Sequence, residues 1–440
     1  MDDSIESEPP RLATGRELGV DFPTSIAALL DGGPAFLTTA FHASGALAHD
    51  NAVAAINAAT EFFGGGMGRK LLLDVEYTRS DASLHQHLFV KFPRDFGDPL
   101  RELFTPIMAP EVHFALLSRR ENFPIDVAKC YFADYDAAIP AGLLITERIA
   151  FGEGDIESAL DKCLDYELDD PLPYYRELAR AMGTLAGRHK AGALGDLEKN
   201  FPYVPTEDHG SRIPFGRDAL PGKIAALREF ARRNPTLLQD GLGDPAFLDR
   251  LAQEAEIAIG LEDAIRDELA RDRDYVALCH WNMNIDNAWF RQDGDGLKAG
   301  LLDWGSVGQM NLAQAFFGMV CSAEIDFVNL HRAELLHLLV DTYRSTGGPA
   351  IDVARLDDLV QLSTALLGLA WIIDAPTVIA QHCPEYAQAA DRRDPIIRDH
   401  FLARAQLQIL NNFLNAWRTD GIGDTLRRFA SARTERAETS

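Results

Sequence analysis

The densest set of chemically able groups lies between Cys279 and Gly305. It reads His280-Trp281-Asn282-Met283-Asn284-Ile285-Asp286-Asn287, then a short β-hairpin signal, then Leu301-Leu302-Asp303-Trp304-Gly305. An amide oxygen at Asn287 and a carboxylate at Asp303, at the two ends of a hairpin, are hard oxygen donors of the kind a divalent cation takes. Asp286 is a nearby carboxylate and a candidate proton acceptor. Taken singly, each residue suits a surface turn leading into a hairpin, with Asp303 as a helix cap.

A second set lies earlier in the chain. Gly64-Gly65-Gly66-Met67-Gly68 stands just before a run that reads as a strand. Glycines let backbone N–H groups approach phosphates closely, although a glycine cluster is also an ordinary tight turn. Lys91 ends the next strand in Leu88-Phe89-Val90-Lys91-Phe92, where a lone lysine is more often a solvated edge charge. Glu111 sits in the following helix, in Pro110-Glu111-Val112-His113-Phe114, where the plain alternative is a solvated residue favoured by the helix dipole.

In this order the two sets resemble the small-molecule phosphotransferases related to aminoglycoside phosphotransferase and choline kinase, with their protein-kinase-like fold. The catalytic segment resembles H-x-D-x-x-x-x-N followed by D-x-G. The resemblance implies ATP and Mg²⁺ as cofactors, with Asn287 and Asp303 as metal ligands and His280 bracing the loop. It implies Gly64, Gly65, Gly66, Gly68 and Lys91 on the phosphates of ATP, with Glu111 paired to that lysine. The strand Leu143-Leu144-Ile145-Thr146-Glu147-Arg148-Ile149 matches the connection between lobes, which places Glu147 and Ile149 beside adenine. Leu185-Ala186-Gly187-Arg188-His189 resembles the family's L-A-x-x-H, with His189 a packing and hydrogen-bonding residue. The ordered motifs span about residues 60 to 325.

The chain departs from the pattern at its catalytic position. Asn282 stands where the family has aspartate. An amide takes no proton at neutral pH, but it can accept a hydrogen bond and orient a hydroxyl. A general base contributes about 10²–10⁴ in rate. Phosphoryl transfer rests mainly on positioning and charge neutralisation. Two functions therefore follow. One is transfer of the γ-phosphate of ATP to a hydroxylated small molecule, with Asn282 or Asp286 orienting the acceptor. The other is a pseudokinase that binds nucleotide and regulates a partner. Nucleotidyl transfer, with the nucleotide reversed, is a minor third. Where the family often carries G-D-P-x-x-D-L-A, this chain has Gly308-Gln309-Met310-Asn311-Leu312-Ala313-Gln314-Ala315, with amides in place of the acids, so the acceptor cannot be carried across. Phe201, Tyr203, Phe215, Trp371 and Asp374 lie in the stretches that would form an acceptor pocket, and at helical spacing they suit a core equally.

The elements that must hold these groups make an α+β chain. Residues 1–48 read as an N-terminal extension, disordered to about residue 15. A helix is expected from an Asp50 cap to Phe63. Strands are expected at Leu71–Tyr77, His85–Phe92, Lys129–Asp134 and Leu143–Ile149, with a helix over Pro99–Leu117. Residues 49–150 would form an ATP-binding lobe with an antiparallel sheet. Residues 151–440 would form a larger, mainly helical lobe with the catalytic loop, metal site and acceptor pocket. Its helices are expected at Ile156–Tyr166, Tyr174–His189, Ala225–Arg232, Pro245–Arg271, Leu312–Ala323, Arg332–Tyr343, Leu356–Asp374 and Pro395–Trp417, with Ser431–Ser440 frayed.

Composition bounds the partners. The chain has 440 residues and a formal net charge of −25, which repels phosphate backbones and argues against nucleic acid. Five scattered cysteines without a C-x-x-C pair argue against a disulfide framework or zinc site and suit a reducing cytoplasm. The acidic N-terminus does not read as a signal peptide. The longest apolar run, Ala365 to Ile373, is shorter than the roughly 20 residues a membrane helix needs.

Overall fold

The computed structural model describes residues 10–62, 68–205, 211–294 and 296–438. The chain divides into two compact units. The first comprises the chain up to Ile156 with Lys199–Phe201 and Gly300–Val307. The second comprises Glu157–Glu198, Pro202–Ala299 and the chain from Gly308. The first is built on an antiparallel sheet and the second is mainly helical, so the fold class is the α+β arrangement that the sequence predicts.

In the sheet unit, β1 (Leu12–Ala13) and β2 (Phe22–Pro23) pair as a short ribbon ahead of α1 (Ile26–Ala43). β3 (Val53–Phe62), β4 (Arg69–Tyr77) and β5 (His87–Phe92) follow. Then come α2 (Arg101–Phe104), α3 (Met108–Leu117), the short β6 (Asp126–Val127), β7 (Cys130–Asp136) and β8 (Ala141–Glu147). Five strands form one antiparallel sheet in the order β3-β4-β5-β8-β7. Period-2 alternation sorts its side chains. Leu71, Leu73, Val75, Leu88, Val90, Phe92, Leu143 and Ile145 pack with Leu29, Leu37 and Phe41 of α1 on one face. Cys130, Ala133 and Leu144 pack with Met108, Val112 and Ala115 of α3 on the other.

Two expectations for this unit are corrected. The helix expected from Asp50 to Phe63 is the edge strand β3, paired with β4 from Val53↔Tyr77 to Phe62↔Lys70. Irregularities between Val53 and Ala55 and between Ile56 and Ala58 shift its alternation. Apolar residues 53, 56 and 59 therefore fall at a helix-like spacing along a strand. The expected disorder to about residue 15 is also corrected where it can be seen, because residues 12–18 are tied to the sheet unit, and residues 1–9 lie outside the described residues. The buried Asp134 carboxylate accepts the backbone N–H groups of Arg16, Glu17 and Leu18 at 2.8, 3.1 and 3.0 Å. Asp136 accepts that of Thr14 at 3.3 Å. Unpaired backbone donors of an irregular segment thus find charged acceptors.

The helical unit contains α4 (Leu172–Lys190), α5 (Leu220–Arg233) and α6 (Pro245–Arg271), then β9 (Val276–Cys279), β10 (Ala288–Asp293), β11 (Gly296–Leu301) and β12 (Gly308–Asn311). The last two residues of β11 belong to the sheet unit. α7 (Leu312–Val320), α8 (Ile325–Ser345), α9 (Val353–Ala370), α10 (Ala375–His382), α11 (Pro395–Arg398), α12 (Phe401–Thr419) and α13 (Ile422–Glu438) complete it. α9 is buried continuously from Leu359 to Ala370. α12 adds buried amides that clamp the chain after α7. Gln408 Nε2 donates to the Ala323 carbonyl at 2.7 Å, and Asn412 Nδ2 to that of Cys321 at 2.9 Å.

Three helix expectations change. Residues 156–166 form no α-helix, only a 3-10 turn at Asp165–Glu167. Cys163 takes φ 62°, and Glu157 N–H is drawn to the Phe290 carbonyl at 2.8 Å. The single helix expected from Pro395 to Trp417 is split, because His400 caps α12 by accepting the Ala403 N–H at 3.2 Å. The C-terminal stretch is helical to Glu438. All five cysteines are buried free thiols. Among the described residues no single helix is long and apolar enough to cross a membrane.

Candidate active site

The sheet unit gathers three of the residues singled out in the sequence. Leu88, Val90 and Phe92 face α1, so alternation turns Lys91 to the opposite face, where α3 lies. Its ammonium sits 2.8 Å from the Glu111 carboxylate. It also sits 2.8 Å from Asp303 Oδ1, contributed from 212 positions later in the chain. The end of β11 reaches this place by running parallel to β6, Gly300 beside Asp126 and Leu301 beside Val127. Trp304 then stacks on Phe114 of α3, with ring centroids 3.6 Å apart. Asp303 itself takes φ 54°, a left-handed conformation that is costly for a residue with a Cβ.

Burial differs across this cluster. The side chains of Lys91 and Glu111 are 8% and 6% exposed, and that of Asp303 is 48% exposed. Burial alone would lower the Lys91 pKa, but the Asp303 and Glu111 carboxylates outweigh it and hold the ammonium above its ordinary range. Burial pushes Glu111 up. A buried cation thus holds a half-exposed carboxylate in place.

Lys70 is a residue that sequence reasoning missed. It lies directly across the β4–β5 ladder from Lys91. Burial, and then the neighbouring Lys91 charge, lower its pKa. Its signal was its place two residues after Gly68. Gly68 is pressed against the Phe92 carbonyl, where a Cβ would collide. Gly64, Gly65 and Gly66 lie outside the described residues. Glu147 ends β8, where its carboxylate accepts the Lys129 N–H at 2.7 Å and its own N–H donates to the Lys129 carbonyl at 2.9 Å. Ile149 follows the strand, partly buried.

The helical unit presents the other set on the loop after β9. β9 pairs antiparallel with β12, Cys279 opposite Gly308. His189 of α4 fixes β9 by accepting the Leu278 N–H at Nδ1, 3.0 Å away. Burial lowers the pKa of that imidazole to about 4, so it stays neutral. His280 is buried, and its Nδ1 accepts the Asn282 N–H at 3.2 Å, which places the ring proton on Nε2. Gly318 of α7 lies against the Trp281 carbonyl so closely that no side chain fits. Asn287 donates from Nδ2 to the Asn282 carbonyl at 2.7 Å. That bond uses the nitrogen and leaves Oδ1 as the amide's donor atom for a cation.

Asp286, the candidate proton acceptor, points to Lys162, with Oδ1 3.6 Å from Nζ. Lys162 carried no sequence signal, since nothing in Leu160-Asp161-Lys162-Cys163 marks it. Tyr203 lies under the Arg273 guanidinium at 3.7 Å, and Asp374 is paired with Lys223 at 2.7 Å, so both have partners within this unit. Gln309 bridges Glu198 at 2.9 Å and Arg273 at 3.2 Å.

Each unit by itself offers a hard oxygen of the kind Mg²⁺ takes, Asp303 in the sheet unit and Asn287 in the helical unit. Among the described residues no group of three or more His, Cys, Asp or Glu could hold a metal ion by itself. Mg²⁺ is ordinarily bound through one or two carboxylates, with phosphate oxygens and water completing its shell. The Asp303 carboxylate and the Asn287 amide oxygen are donors of that kind.

No family model matches this sequence, and no curated protein matches it. Solved structures do. The choline kinase from Cryptosporidium parvum is 14% identical, with 82% of this chain and 92% of that chain covered, at a TM-score of 0.38. The microcompartment-associated aminopropanol kinase is 14% identical, with 83% and 94% covered, at 0.41. The Plasmodium vivax ethanolamine kinase is 11% identical, with 82% and 83% covered, at 0.42.

Proposed function

We propose that the protein is an ATP- and Mg²⁺-dependent phosphotransferase that moves the γ-phosphate of ATP to a hydroxyl of a small molecule. The observation that carries this reading is the Lys91–Glu111–Asp303 cluster. A buried ammonium at 2.8 Å from each carboxylate, with one carboxylate half exposed on a strained turn, suits phosphate and metal chemistry. In the sheet unit Lys91 binds the phosphates, Glu111 orients it, and Asp303 is a metal ligand. Gly68 and the glycines before it cradle phosphate, and the chain at Glu147 and Ile149 takes adenine. In the helical unit Asn287 is a metal ligand through Oδ1, and Asn282 accepts a hydrogen bond from the acceptor hydroxyl. Mg²⁺, when bound, neutralises charge that develops on the transferring phosphoryl group.

Asn282 favours a second reading, a nucleotide-binding pseudokinase, because a group that takes no proton is missing part of the usual chemistry. Release of ADP from Mg²⁺-ATP across a panel of amino alcohols, sugars and other hydroxylated compounds separates the two. Acceptor-dependent ADP and a phosphorylated product support transfer. Tight Mg²⁺-ATP binding without turnover on any acceptor supports the pseudokinase. ADP release that requires no acceptor contradicts the transfer reading.

A further inference from the structure

Asn284 is fully buried, and its amide meets Lys162, Asn282, Ser322 and the Gly318 carbonyl. With its nitrogen toward Lys162, Asn284 donates to Asn282 Oδ1 and accepts from Ser322 Oγ at 2.6 Å, but two donors face each other across 2.7 Å at Lys162 and its oxygen lies 3.1 Å from the Gly318 oxygen. Turned over, the nitrogen donates to Ser322 Oγ at 2.6 Å and Gly318 O at 3.1 Å, and the oxygen accepts from Lys162 Nζ at 2.7 Å. A buried amide takes the orientation that satisfies its neighbours. That orientation dictates the next amide, because the Asn284 oxygen also touches the Asn282 side chain. Two oxygens cannot share that contact, so Asn282 must turn its NH₂ toward Asn284. Its Oδ1 then points away from Asn284 and can only accept.

We propose that Lys162 is a positioning residue that acts through Asn284 to present the Asn282 oxygen to the acceptor hydroxyl. This rests on the phosphotransferase reading. An aspartate has two equivalent oxygens and needs no such device. An asparagine offers an acceptor at one end and a donor at the other, and the wrong end would meet the hydroxyl with N–H. A lysine ammonium is donor-only, so it tolerates only the oxygen of Asn284. Its side chain is 11% exposed, and the Asp286 carboxylate 3.6 Å away keeps the charge beside the amides.

Neutron diffraction from the deuterated protein tests the orientation without any activity. Deuterons are expected on the Asn282 atom that faces Asn284 and on the Asn284 atom that faces Ser322. Deuterons on the outward-facing Asn282 atom overturn the proposal. Kinetics test the role. Lys162→Met should lower kcat by about tenfold or more while KM for ATP changes by less than about twofold. Lys162→Gln, which keeps an N–H donor, should recover part of the loss and guards against a folding defect in the methionine variant. In an Asn282→Asp background, Lys162→Met should change kcat by less than about threefold. Equal losses in both backgrounds, or none in wild type, overturn the proposal. No acceptor-dependent turnover in the wild type would instead remove the phosphotransferase reading and with it the catalytic role, and the neutron map alone would decide the orientation.

Discussion

At the scale of single residues, the cost of holding charge out of water governs what each substitution should do. Lys91→Met leaves the Glu111 carboxylate buried without its ammonium, which typically costs about 3–5 kcal/mol. Adding Glu111→Gln should return a large part of that stability without restoring activity, measurable by chemical denaturation beside the ADP assay. If the double variant is no more stable than the single, the buried pair is not the source of the loss. Two other groups set opposing pH dependences. Burial raises Asp165 from its ordinary 3.8 to about 6, so the native state binds that proton more tightly. Stability from this residue falls by about 3 kcal/mol as pH rises through that window. His189 is lowered from 6.5 to about 4, so its contribution rises over a similar window. The two largely cancel between pH 4 and 6. Relative to wild type, Asp165→Asn should make stability climb with pH there, and His189→Asn should make it fall. Unfolding midpoints taken across that range check both signs, and parallel curves for all three proteins would contradict them.

At the scale of elements, close approach and charged anchors matter more than propensity. α7 meets the loop after β9 where Gly318 lies on the Trp281 carbonyl. Gly318→Ala should displace that backbone and depress kcat far more than ATP binding. Equal kcat in the variant would show that the loop tolerates the shift. Asp134 anchors residues 16–18 through three backbone N–H groups. Asp134→Ala should cost about 3 kcal/mol and expose that segment to proteolysis. An unchanged cleavage pattern would argue that the segment is held by other contacts. Strand β4 and helices such as Pro245–Arg271 were legible because burial on a defined face writes a plain period into them, whereas β7 and β8, buried on both faces, were legible as short apolar runs. β3 was misread because its irregular register imitates helical spacing. Residues 156–166 were misread because apolar positions there carry no record of the left-handed turn at Cys163.

At the scale of the whole molecule, the sequence separated a sheet-bearing part from a helical part because β-type and helix-type periodicities change near residue 150. It did not show that residues 300–307 return to the sheet unit, since a crossing of that kind depends on contacts far apart in the chain. The meeting of Lys91, Glu111 and Asp303 was legible only through the order of motifs, because no local pattern pairs residues 212 positions apart. Lys70 and Lys162 were not singled out. The one mark of Lys70 was its place two residues after Gly68, while its position across from Lys91 depends on strand register, and the buried amide beside Lys162 leaves no mark in neighbouring residues. Acceptor-dependent ADP formation by wild type and by Asp303→Ala, at saturating Mg²⁺-ATP, tests the central claim most directly. The account predicts turnover in the wild type and a loss of at least about 10³-fold in the variant, with the fold intact by circular dichroism. Turnover that survives Asp303→Ala would contradict it.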